Sequence, residues 1–63
     1  MNNQLKLTQE EFASHLAAIG GDADKPEAIT RACGRKTEHW YGGQSDVERH
    51  TDVDGTVTYW FVD

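Results

Sequence analysis

Hydrophobic and polar positions alternate most regularly in the last third of the chain, from Asp46 to Asp63. Asp54-Gly55 there separates two runs rich in β-formers, the second being Val57-Thr58-Tyr59-Trp60-Phe61-Val62. An Asp-Gly pair supplies the positive φ angles of a tight hairpin turn, and flanking Val, Thr and aromatic residues suit a pleated, half-buried strand. Two registers compete. A two-residue loop at Asp54-Gly55 sets Val57, Tyr59 and Phe61 on the face of Glu48, His50 and Asp52, a poor core. A three-residue loop, Val53-Asp54-Gly55, sets them instead with Val47, Arg49 and Thr51. Because a one-residue slip exchanges the two faces, the apolar pattern selects the second register. It leaves Trp60 on the acidic face, beside Asp46, Glu48, His50, Asp52, Thr58 and Val62.

A period of 3.6 governs the first third. Thr8 is a good N-cap, Glu11 completes a capping box, and Leu7 with Phe12 forms a hydrophobic staple. Phe12, Leu16 and Ile19 then fall on one stripe, and Gly20-Gly21 closes it, which predicts a helix over 9–19. Ahead of it, residues 1–6 are polar and expected to fray, with a short edge strand through Leu5 and Leu7 as the alternative. After the polar turn at 22–25, Asp24, Pro26 and Glu27 read as a second helix start. The apolar set Ala28, Ile29, Ala32 and Cys33 predicts a helix over 25–33 stopped by Gly34, with Cys33 a small core residue at its end. Residues 35–45 are ambiguous: Thr37–Tyr41 favours a strand leading through a Gly42–Ser45 turn into the hairpin, and a third short helix competes. The expected fold is α+β, two helices packed on one face of a small two- or three-stranded antiparallel sheet ending in the C-terminal hairpin.

Composition sharpens this picture. At 63 residues the chain is one domain near the lower size limit for unaided folding. Its core candidates are Leu5, Leu7, Phe12, Leu16, Ile19, Ile29, Cys33, Tyr41, Val47, Val57, Tyr59 and Phe61. Such a small core makes a homodimer or another partner a natural expectation. A single cysteine permits no intrachain disulfide or zinc framework and points to a reducing, cytoplasmic setting. No apolar run has membrane-spanning length and no signal-peptide layout appears at the start, so neither membrane nor secretion is expected. The net charge of −5 is uneven, with residues 46–63 strongly acidic and residues 31–45 mildly basic.

The chemistry-bearing residues do not assemble into known constellations. Cys33, His39 and His50 match no zinc-ligand spacing, and Asp52-Val53-Asp54-Gly55 is too short a fragment for a calcium loop. No phosphate-binding glycine spacing or oxyanion arrangement accompanies Cys33 and its histidines, so no metal, cofactor or enzymatic activity is expected.

Ala18-Ile19-Gly20-Gly21, Ala28-Ile29-Thr30-Arg31-Ala32-Cys33-Gly34 and Trp40-Tyr41-Gly42-Gly43, with the helix start Leu7–Ala13, resemble phage Cro-type helix-turn-helix proteins over about half the chain. That resemblance implies a DNA-binding regulator using residues 28–43, with Arg31, Arg35 and Lys36 on phosphates. Only five residues separate Gly34 from Trp40, and the acidic balance opposes a phosphate-binding surface. An aromatic within an acidic rim is instead the make-up of a protein-binding hot spot. The leading expectation is therefore an acidic, non-enzymatic protein-binding module, an inhibitor or adaptor comparable in size and charge to phage- or plasmid-encoded anti-defence proteins. It would dock on another protein with a basic surface, a nucleic-acid-binding protein being one candidate, through Trp60, Glu48, His50, Asp46, Asp52, Asp54 and Trp40.

Overall fold

The computed structural model describes residues 4–63, which form one helix and five strands. In chain order these are β1 (Gln4–Leu7), α1 (Gln9–Ala18), β2 (Ala28–Ala32), β3 (Arg35–Tyr41), β4 (Asp46–Thr51) and β5 (Val57–Val62). The strands make a single antiparallel sheet in the order β1-β5-β4-β3-β2. The expectation of two helices on a two- or three-stranded sheet is thereby corrected: sheet dominates, and one short helix packs against it.

Helix α1 forms where its capping signals lie. Thr8 Oγ1 accepts the Glu11 N–H at 3.2 Å, and Glu11 Oε1 accepts the Thr8 N–H at 2.9 Å. Leu7 and Phe12, the two halves of the staple, are both buried. At the other end the Gly20 N–H reaches Ala17 O at 3.1 Å and the Gly21 N–H reaches Leu16 O at 2.9 Å, closing the helix as a Schellman motif. Ahead of the helix, Gln4–Leu7 is the edge strand rather than frayed chain; residues 1–3 of the expected frayed segment lie outside the described residues.

The second predicted helix is absent. Ala28–Ala32 is strand β2, and Cys33 (φ 53) with Gly34 (φ 79) forms a two-residue turn that folds it back on β3, Ala32 facing Arg35. Positive φ at both turn positions is the type I′ geometry whose twist matches a hairpin. A nine-residue helix with a narrow apolar stripe is marginal by itself, and pairing with β3 outcompetes it. Cys33 accordingly sits exposed on the turn, not in the core. Strand β3 occupies the ambiguous segment, so residues 28–43 hold a β-hairpin where the Cro-type resemblance requires a turn and a recognition helix. That resemblance fails at the level of fold.

The C-terminal hairpin takes the three-residue loop. Asp52 donates its N–H to Thr56 O at 2.9 Å, the Gly55 N–H reaches Asp52 O at 3.0 Å, and Gly55 has φ 90. Val47, Arg49 and Thr51 therefore face Phe61, Tyr59 and Val57.

Paired residues share a face, so the ladder sorts the sheet into two sides. Under α1 lie Leu7, Tyr59, Phe61, Val47 and Trp40, with Phe12 and Leu16 descending from the helix. Trp40, expected on the binding face, is instead a core residue, 1% exposed like Val47. Phe12 meets its ring edge-on at 5.4 Å, and its indole N–H donates to Asp22 O at 2.7 Å. Leu5, Ile29, Tyr41 and Val57, expected in the core, are exposed. The same side buries one charge pair: Glu38, 6% exposed, lies opposite Arg49. The guanidinium donates through Nε and Nη2 to the two carboxylate oxygens, each at 2.8 Å, while stacking 5.2 Å from the Trp40 ring. Those hydrogen bonds hold the Glu38 carboxyl below the usual carboxylate range and raise Arg49.

Candidate functional site

The side of the sheet away from α1 carries no covering element among the described residues, and its side chains form rows across the strands. One row runs Ala28, His39, Glu48, Trp60 and Lys6; a second runs Thr30, Thr37, His50 and Thr58; a third runs Tyr41, Asp46, Val62 and Gln4. Strand periodicity alone accounts for this, since Glu48 and His50, or Trp60 and Val62, are two residues apart.

Glu48 is the hub. His39 Nδ1 lies 3.2 Å from its Oε2 and His50 Nε2 lies 2.8 Å from its Oε1. An ionised carboxylate only accepts, so each imidazole presents an N–H to it. His39 Nε2 hydrogen-bonds with the Thr30 hydroxyl, 3.2 Å away. Aromatic rings flank both imidazoles: Trp60 lies 5.6 Å from His50 and Tyr41 stacks 6.1 Å from His39. Trp60 also donates its indole N–H to Thr58 Oγ1 at 3.0 Å, which fixes the plane of its partly exposed ring.

The structure thus brings together Trp60, Glu48 and His50, with Asp46 two residues along β4 from Glu48. Asp46 also accepts the Gly42 N–H at 3.2 Å. Asp52 and Asp54 are placed elsewhere, at the hairpin end. Asp52 pairs with Arg35 at 3.2 Å. Asp54 accepts the Thr56 N–H at 2.9 Å, which lowers its pKa. Trp40 points to the opposite side. The proposed phosphate-binding cations do not form one free patch either. Arg35 is held by Asp52, Lys36 lies 3.9 Å from Glu38 on the helix side, and Arg31 faces Lys36 across the hairpin.

His39, Tyr41 and Thr30 belong to the face and were not anticipated there. The available signal was parity: with Trp40 and Glu38 directed to the core, His39 and Tyr41 must fall on the other side. Among the described residues no three His, Cys, Asp or Glu side chains are placed to hold a metal ion, and no helix is long and apolar enough to cross a membrane. A groove of about 570 Å³ on the helix side, between α1 and the Arg49–Tyr59 pair, is open, and its one cation, Arg49, is already committed to Glu38.

Comparison with protein-family models, curated proteins and solved structures returns no match.

Proposed function

We propose that the protein is a non-enzymatic binding module, an inhibitor or adaptor that docks the uncovered face of its sheet on a basic protein surface. The observation that carries this reading is Trp60, a partly exposed indole directly opposite Glu48 in the middle of a face without a covering helix. A rigid aromatic supplies contact area at little entropic cost, and a carboxylate beside it selects cationic partners, arginine foremost through stacking and bidentate pairing. The net charge of −5 favours encounter with such a surface over encounter with nucleic acid. A basic, nucleic-acid-binding protein is the partner class this chemistry fits, and the analogy to small anti-defence proteins rests on size and charge.

The test is an NMR titration of isotope-labelled protein with an arginine-rich peptide from a nucleic-acid-binding protein. Shifts should concentrate on the Trp60 indole, Glu48, His50 and His39, and Trp60→Ala should weaken binding by about tenfold or more, or about 1.4 kcal/mol. A labelled DNA duplex titrated at low salt should show no binding. Perturbations confined to the helix side, or affinity unchanged in Trp60→Ala, would remove the proposal.

A further inference from the structure

The sheet ends on strand β2, and the hydrogen-bond pattern of that edge can be read from the turn beside it. A two-residue turn makes its flanking residues a doubly bonded pair, and bonded and non-bonded pairs alternate along an antiparallel ladder. Ala32–Arg35 and Thr30–Thr37 are therefore bonded pairs. Ile29 and Arg31, opposite Glu38 and Lys36, turn their N–H groups and carbonyls away from the sheet. An open edge of this kind is a template for another strand unless proline, lysine, a bulge or a covering element blunts it. Here Pro26 lies before the strand. The one irregularity is at its start, where the Glu27 N–H also reaches His39 O at 2.8 Å. Helix α1 packs chiefly on β1, β4 and β5, and Ile29 is 48% exposed at the centre of the edge.

We propose that β2 pairs antiparallel with β2 of a second copy of this chain, with Ile29 opposite Ile29. This register sets Arg31 of each copy against Glu27 of the other. Glu27 already accepts the Tyr41 N–H through Oε2, and a carboxylate retains acceptor capacity for a guanidinium beside that bond. A register centred on Thr30 would set Ile29 against Arg31 and lose the charge pairing, and one centred on Arg31 would oppose like charges. The two-fold axis then stands perpendicular to the sheet. It continues the ladder through both copies and keeps both Trp60 faces on one side. This inference rests on the edge of the sheet and is independent of what its open face binds.

Sedimentation equilibrium over roughly a hundredfold range of protein concentration tests it, because self-association follows mass action. The expected result is a monomer–dimer equilibrium that Ile29→Lys shifts toward monomer by about tenfold or more in dissociation constant, while Trp60→Ala leaves it unchanged. Hydrogen exchange on the unaltered protein supplies a reading that needs no variant: the Ile29 and Arg31 amides should gain protection as concentration rises. A third reading is covalent, since paired residues in a bonded antiparallel position lie within disulfide reach. The double variant Ile29→Cys, Cys33→Ser should cross-link rapidly under mild oxidant, and Val53→Cys, Cys33→Ser should not. A monomer across the whole range would overturn the proposal. So would a dimer indifferent to Ile29→Lys with unprotected Ile29 and Arg31 amides.

Discussion

Cys33 holds a left-handed backbone angle, φ 53, on an exposed turn where its thiol contributes no packing. A non-glycine side chain other than Asn or Asp is strained there, and Asn-Gly is the preferred pair for this turn type. Cys33→Asn should stabilise the protein by about 0.5–1 kcal/mol, read as a raised midpoint in urea denaturation with unchanged slope. Glu38 behaves in the opposite sense. Its folded pKa is depressed by the hydrogen bonds from Arg49, so the stability it contributes is present above the unfolded carboxylate value of about 4.3. That contribution is lost as pH falls through the lower, folded value. Denaturation followed against pH should therefore show an acid limb below about pH 4 that flattens in Glu38→Gln. At neutral pH the same substitution should cost about 2–3 kcal/mol, because it leaves Arg49 half-buried without its charge partner.

At the scale of elements, what was legible in the sequence follows how local the information was. Thr8, Glu11, Leu7, Phe12 and Gly20-Gly21 lie within one helix and its caps, and they specify α1 without help from distant residues. Removing that local signal has a local cost: Thr8→Ala should destabilise by about 1 kcal/mol, measurable by thermal melting. The β4–β5 register was legible for a similar reason, since only one loop length gives Val57, Tyr59 and Phe61 apolar company. Strand β2 was not legible. Ala28, Ile29, Ala32 and Cys33 satisfy a helical spacing as well as a strand, and the deciding partner, β3, begins only after the turn. Nothing in the residues themselves marks Cys33-Gly34 as a type I′ pair, because cysteine is an unusual occupant of that position. The same ambiguity concealed half of the open face. A strand over Thr37–Tyr41 is favoured by its residues but carries no register against β4, so the side taken by Trp40, and with it that of His39 and Tyr41, is fixed only by the pairing.

For the whole molecule, the core under α1 consists of Leu7, Phe12, Leu16, Trp40 and Val47, with Ile19, Tyr59 and Phe61 around it. So small a core supports an unfolding free energy of about 3–5 kcal/mol for the monomer, to be measured by urea denaturation at low concentration. The sheet is asymmetric about this core. One side is sealed where α1 lies, and the other displays Trp60 within a carboxylate and imidazole network. The two tryptophans consequently divide between two environments, Trp40 sealed from solvent and Trp60 partly exposed. Two optical reporters with separate duties are expected: emission from Trp40 to the blue and shielded from solution quenchers until the chain unfolds, and emission from the more accessible Trp60 that responds to whatever settles on the open face. A single intrinsic-fluorescence titration can thus separate loss of structure from occupation of the face, without a label and without altering a residue.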